Sequence, residues 1–349
     1  MKKCRLMTIL VLVLALLLSC VATDASAAKK SSKAKDPTVQ VRVNGVEFLY
    51  DEARSMLDML NAFRTGEDAW QLKKNNKTRQ YVKNLKPLQY DYDLERVAMQ
   101  RALELAVYFS HTRPNGKAWS TAYVKKTSTK GENLAYGQIG IAEAFIALRE
   151  DDKDYNGQGH RRNMLRRNYT RVGFGAVRVG NTIYIAQEFA NGKVRSDDTD
   201  RFGSNVVDVS WATLLKSGAG NLGGHPGELN LAPGESAPLP EICIYSHSGV
   251  RLTILNQSWG PPADGIVYSD GASLTAAGTG WTSLAAEVCG NPVYLPVTVA
   301  EREQLPEPTE QTEIDSYETP LGTPYFITLP DDECYEYPFI LPNPFARNK

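Results

Sequence analysis

Apolar side chains recur at Leu49, Ala53, Met56, Leu57, Leu60 and Phe63. That spacing predicts a helix with one buried stripe. The same period returns at Leu94, Val97, Ala98, Ala102, Leu105, Ala106 and Phe109, predicting a second helix from about Asp93 to Ser110. His111 follows directly, and "TRPNG" stops the helix, because Pro114 disfavours helical geometry at Arg113 and Asn115-Gly116 suits a turn. A third helix is expected from Ile141 to about Glu150, a loop from Asp151 to Gly159, and one short helix from His160 to about Leu165. "RVGFGAVRVGNTIYIAQEFA" then reads as two strands around a Gly180-Asn181 turn. Helices followed by strands in one block predict an α+β sandwich.

Past about Val194 the pattern changes. "RSDDTDRFGSN" is loop-like, and from about Leu222 the helical period is gone. Leu252 and Ile254 share one face of a strand; Leu284, Ala286 and Val288 share another; Val293, Leu295, Val297 and Val299 repeat at period two. With "PPADG" and "SDG" as turns, this predicts a small all-β sandwich ending near Val299. Trp259 and Trp281 are expected in its core. The chain beyond Glu301 is rich in Pro, Glu and Asp and reads as a tail. The expected division is 1–27 signal peptide, 28–44 linker, 45–195 α+β domain, 196–220 linker, 221–300 β domain and 301–349 tail.

Composition narrows the class. The apolar fraction of 42% supports a buried core, and a formal net charge of −1 offers no basic field for nucleic acid. Lys2, Lys3 and Arg5, the apolar run Leu6 to Leu18, and Ala25-Ser26-Ala27 form the pattern of a secretory signal peptide. The rival is a lipobox at Leu17-Leu18-Ser19-Cys20, which would put a lipid anchor on Cys20. Either predicts a secreted, extracellular or envelope-attached protein. An oxidising compartment would permit a Cys243–Cys289 disulfide.

Two of the four histidines flank helices in the first block, His111 and His160. Glu132 sits in "GENLAYG", and Glu150 and Asp151 end the third helix. Two imidazoles with one or two carboxylates suit a divalent ion with an open position, or a general acid/base set. On spacing alone helix-end capping, a tight turn and plain solvation stay open beside these. His225 and His247 are isolated and are assigned no chemistry.

"FSHTRPNG", "GENLAYG", "GQGHRRNML" and "YIAQEFA", in that order, resemble the bacterial branch of the CAP superfamily, which includes cysteine-rich secretory, antigen 5 and pathogenesis-related proteins. The resemblance covers about Leu49 to Ala190. It implies an α-β-α sandwich with a central cleft lined by two histidines and two acidic residues. Residue by residue these are His111, Glu132 and His160. The fourth position falls in "ALRED", where Leu148 replaces an aromatic residue and either Glu150 or Asp151 supplies the carboxylate. Arg161, Asn163 and Asn133 are expected to hold the His160 segment and the "GEN" turn. The C-terminal block resembles a bacterial immunoglobulin-like module, of a kind that serves as spacer or adhesive domain. The expected function is binding of a small apolar, lipid or peptide ligand in the cleft, with zinc as a candidate cofactor. A metal-assisted hydrolase acting on peptides or cell-wall material, and a structural or adhesive surface protein, are the alternatives, so enzymatic activity stays open.

Overall fold

A computed structural model describes residues 36–123, 127–137, 140–194, 202–217, 228–246, 248–260 and 264–304. The expected signal peptide, the lipobox cysteine Cys20 and the acidic tail beyond Gln304 lie outside the described residues. Among those described, no helix is long and apolar enough to cross a membrane.

The chain begins with strands β1 (Thr38–Val43) and β2 (Val46–Phe48), then helix α1 (Tyr50–Thr65). A short hairpin of β3 (Trp70–Leu72) and β4 (Arg79–Tyr81), and β5 (Gln89–Tyr90), lead to α2 (Tyr92–Val107). Strand β6 (Lys130–Gly137), helices α3 (Ile141–Leu148) and α4 (Gly159–Met164), and the hairpin of β7 (Arg171–Val179) and β8 (Thr182–Ala190) complete the block. The central sheet has the order β2-β7-β8-β6, with β5 alongside β7. The α+β class is therefore as the periodicity indicates.

Both faces of that sheet are covered. Along β7, Val172, Phe174 and Ala176 are fully buried on one face. On the other face stand Gly173 and Gly175, because α2 presses its backbone against them. A Cβ on Gly173 would lie 2.2 Å from Glu95 N, and one on Gly175 would lie 2.2 Å from the Ala98 carbonyl. No side chain fits there. The apolar stripe of α2 (Ala98, Met99, Ala102, Leu105, Ala106) is almost completely buried. Asp91 caps the helix by accepting from Leu94 N at 3.1 Å. Tyr108 to His111 leave the helix, which ends at Val107 rather than near Ser110. "GEN" is not a turn: Gly131, Glu132 and Asn133 lie in β6, paired with Phe189, Glu188 and Gln187 of β8.

The rest of the described chain is almost all strand: β9 (Val206–Ser210), then helix α5 (Trp211–Lys216), and β10 (Leu229–Leu231), β11 (Ser236–Pro238), β12 (Cys243–Tyr245) and β13 (Arg251–Ile254). Strands β14 (Val267–Ser269), β15 (Ser273–Ala276), β16 (Gly280–Val288) and β17 (Asn291–Val299) follow. The two stretches expected as linkers supply structure here. Strand β1 lies inside 28–44, and β9 and α5 lie inside 196–220. Val41 of β1 pairs with Val207 of β9 on one side and Ile254 of β13 on the other, in a sheet ordered β12-β13-β1-β9. The α/β block is thus inserted between two adjacent strands of one sheet.

Two further expectations fail here. Trp259 is buried, but Trp281 is 64% exposed. Thr282, Leu284, Ala286 and Val288 of β16 face inward, and period two sends Trp281 to the opposite face. Cys243 and Cys289 are not bonded to each other. Cys243 is a buried free thiol on β12, 3.1 Å from Arg251 Nη2, whereas Cys289 sits in the β16–β17 turn of another sheet.

Candidate functional site

Sheet register sets the direction of each functional side chain. Glu132 (β6), Glu188 (β8) and Gly173 (β7) form one cross-strand row. Gly173 abuts α2, so the row faces that helix. Asn133 and Gln187, one residue along, face the other way. Gln187 Nε2 stands 3.9 Å from Met56 Sδ of α1. Strand β6 is at the end of the sheet order, so chemistry on its two faces meets around one edge.

On the α2 side the organising charge is Arg101, fully buried among alanines and leucines. Its Nε donates to Glu132 Oε2 at 2.7 Å, its Nη1 to Glu104 Oε2 at 2.5 Å, and its Nη2 to Ser110 O at 2.7 Å. Arg113 donates to Glu104 Oε1 at 2.6 Å. The Ser110 contact holds the exit from α2 where His111 begins. His111 Nδ1 lies 2.5 Å from Glu132 Oε1. Burial would push the Glu132 carboxyl up, but the Arg101 guanidinium and the His111 ring outweigh it and hold it at about 2.

Directly opposite in register, Glu188 goes the other way. Burial, and then the charge of Glu132, push its carboxyl well above the usual range. The Tyr123 hydroxyl meets it at 2.7 Å. Burial also raises Tyr123, followed by the Glu188 charge. The two facing carboxyls are therefore pushed in opposite directions, and the Arg101 guanidinium favours the charged form of Glu132.

On the other side of β6, Glu150 ends α3 in the left-handed region, at φ 51°. Glycine is the usual residue at such a position after a helix. Its Oε2 accepts from the backbone N–H of His160 at 3.0 Å and of Arg161 at 3.3 Å, and its Oε1 lies 2.9 Å from His160 Nδ1. Asp151 turns away and pairs with Arg149 at 2.8 Å and with Arg161. Of the two candidates for the fourth position, Glu150 is the one beside a histidine. Neither ring nitrogen of His160, which is buried, makes an aligned hydrogen bond.

Hydrogen bonds from Arg161, Asn133 and Asn163 surround this segment. Arg161 is fully buried, its guanidinium 3.9 Å from the Trp70 ring centroid and donating to the carbonyls of Asp68, Trp70 and Arg149. Asn133 donates to His160 O at 3.1 Å, and Asn163 to Glu132 O at 3.2 Å and Asn133 Oδ1 at 3.0 Å. A Cβ on Gly131 would meet the Tyr169 hydroxyl at 2.1 Å; that hydroxyl donates to Lys130 O.

The site is thus two histidine–carboxylate pairs, His111–Glu132 and His160–Glu150, stitched together by Asn133 and Asn163. Among the described residues no three or more His, Cys, Asp or Glu side chains are grouped to hold a metal ion. Arg101, Glu104, Glu188 and Tyr123 were not anticipated. A charged Arg101 in the middle of an apolar helical stripe was the available signal for the first.

Residues 57–189 match the sequence model of the CAP, or Cysteine-rich secretory protein, family. The chain is 33% identical over 106 residues to YkwD, an uncharacterized protein of Bacillus subtilis. That match covers 28% of this chain and 37% of YkwD, so the chain spans little more than a third of this curated relative. Among solved structures, venom allergen-like protein 4 of Schistosoma mansoni is 17% identical with a TM-score of 0.33, over 44% of this chain and 97% of that one. A cysteine-rich secretory protein of Staphylococcus aureus is 18% identical with a TM-score of 0.28, over 41% of this chain and 38% of that one.

Proposed function

We propose that the CAP domain is a ligand-binding module of an exported protein, with the His111 ring as its polar contact for a small apolar, lipid or peptide ligand. The carrying observation is a difference in exposure. The His111 side chain is 19% exposed, whereas Glu132, Glu150 and His160 are at most 4% exposed. Glu132 occupies Nδ1 of His111 and fixes the ring, which leaves Nε2 to accept a hydrogen bond or coordinate. In this reading the remaining residues preorganise that ring.

A divalent cation such as zinc fits the imidazoles rather than the carboxylates. Glu132 is held by Arg101 and His111, and Glu150 caps α4, so in this reading both orient the rings and the imidazoles bind the ion. His160, buried with both ring nitrogens lacking an aligned partner, is the side chain that such an ion would satisfy. His111 and His160 would hold the ion, with solvent or ligand completing its shell. When bound, the ion would polarise a ligand oxygen.

Zinc titration by calorimetry of wild type, His111→Ala and His160→Ala tests the cation. Wild type is expected to bind at least about tenfold tighter than either variant; equal affinities overturn it. A thermal-shift screen with small apolar and peptide compounds tests the ligand: hits lost in His111→Ala support the module, and hits unchanged in that variant reject it. Chelator-sensitive hydrolysis of a peptide or cell-wall substrate, lost in the same variants, would place the hydrolase reading ahead of binding.

A further inference from the structure

Beyond the cleft, we propose that α4, the residues just after it and the β3–β4 hairpin form a second binding site, for the phosphate group of an anionic ligand. A cavity of about 350 Å³ opens between them. Arg162, Arg166 and Arg167 line it together with Asn163 and Gln71, and Val82 and Leu165 supply its apolar surface. No carboxylate is among the lining residues.

The electrostatics set these arginines apart. Arg54, Arg101, Arg113, Arg149, Arg161 and Arg171 each pair with an aspartate or glutamate. Among the described residues, Arg162, Arg166 and Arg167 pair with none. Arg162 stacks 4.3 Å from the Tyr155 ring centroid and donates one Nη to the Tyr155 carbonyl; its Nη1 is buried with no partner. Arg166 has the Tyr169 ring at 5.3 Å and a long contact to its hydroxyl at 3.4 Å. Arg167 is tethered to Lys83 O at 2.7 Å. Aromatic faces and carbonyls orient these guanidiniums without neutralising them.

A further guanidinium engages carbonyls of this segment. Arg64, buried and pushed down to about 10 by that burial, donates to the carbonyls of Met164 and Arg166. The sequence on both sides keeps anions away. Residues 71–86 carry Lys73, Lys74, Lys77, Arg79, Lys83 and Lys86 and no acid, and no acid occurs from Asn156 through Gln187. In a chain of net charge −1 this is a marked local excess. Guanidinium forks match phosphate oxygens in pairs, and several converging on one cavity favour a group with more than one negative charge.

The shared chemistry admits a soluble phosphate ester or a lipid headgroup, and the test separates them. The full chain is titrated with inorganic pyrophosphate by calorimetry. In parallel it is sedimented with phosphatidylcholine vesicles that contain or lack phosphatidylglycerol. Pyrophosphate binding is expected to weaken about tenfold in Arg162→Gln and in Arg166→Gln, equivalent to about 1.4 kcal/mol each. It should also weaken as salt is raised. Arg162→Lys should keep part of it, and Lys216→Gln, on α5, all of it. Variants are compared only where thermal unfolding matches wild type. Independently of any variant, pyrophosphate should protect Arg162 and Arg166 of the wild-type protein from phenylglyoxal, read by peptide mass. Pyrophosphate binding without vesicle binding assigns a soluble ligand; binding only to phosphatidylglycerol vesicles, lost in the same variants, assigns a headgroup. Binding of neither probe, or binding indifferent to both arginines and giving no protection, overturns the site. The zinc and His111 experiments read a different set of residues, so either proposal can fail alone.

Discussion

His111 Nδ1 and Glu132 Oε1 stand 2.5 Å apart, and the other oxygen of the same carboxylate accepts from the buried Arg101. One side chain thus orients a half-buried ring and compensates a fully buried cation. The two duties differ in energy, because only the second involves a charge with no access to water.

Glu132→Gln is therefore expected to destabilise the domain by about 3 kcal/mol or more, since it leaves Arg101 with Glu104 as its one carboxylate. His111→Ala removes a partly solvated partner and should cost about 1 kcal/mol or less. Denaturant unfolding of both variants checks the ranking, and equal losses would contradict the structural role given to Arg101.

The facing carboxyls give opposite slopes of stability against pH. Glu132 is depressed from 4.5 to about 2, so its contribution is present above 4.5 and is lost as pH falls toward 2. Glu188 is raised from 4.5, so the folded state retains a proton that the unfolded chain releases. Its contribution is full below 4.5 and declines as pH rises through its folded value. Wild-type stability measured by denaturant across a pH series should rise between 2 and 4.5 and acquire a downward component above. Glu188→Gln should abolish the downward component and leave the acid limb. An unchanged profile in that variant would remove Glu188 from this account.

Glu150 and Asp151 are neighbours with different work. Glu150→Gln loses a charge that caps α4 through two backbone N–H groups, and should cost about 1–2 kcal/mol. Asp151→Asn breaks pairs on a side chain that is 42% exposed, and should cost about 1 kcal/mol or less. Thermal unfolding compares them, and only the first variant should also shift the His160 ring resonances in NMR.

Residues 228–304 expressed alone should fail to fold cooperatively, because β13 pairs with β1 from the N-terminal end of the described chain. Adding residues 36–45 in trans should not rescue a fragment that also lacks β9. Circular dichroism melts of the fragment and of the full chain decide this; a sharp transition in the fragment refutes it.

Much of the α/β block was legible along the sequence. The apolar period of α1 and α2, the Gly180-Asn181 hairpin and the order of the four motifs are local features, and local spacing reports them. His111, Glu132 and His160 were legible as candidates for the same reason. What could not be read locally was pairing. "VQVRV" alternates, and Val39, Val41 and Val43 are buried, yet its partners lie about 170 and 210 residues away in β9 and β13. A linker composition just before it was the stronger local signal. Trp281 illustrates the converse: its parity against Leu284 and Ala286 already put it on the outer face.

The sequence by itself determined the long helices α1 and α2, the β7–β8 hairpin and the titratable side chains His111, Glu132, Glu150 and His160 as candidates, because backbone period and turn chemistry act over a few residues. The tertiary structure decided what those side chains do. Only cross-strand register sets Glu132 against Glu188, only the packing of α2 onto Gly173 and Gly175 puts Arg101 beneath them, and only the left-handed turn at Glu150 aims that carboxylate rather than Asp151 at His160. Charge state and contact follow from distance and burial, and these are set by segments far apart in the chain.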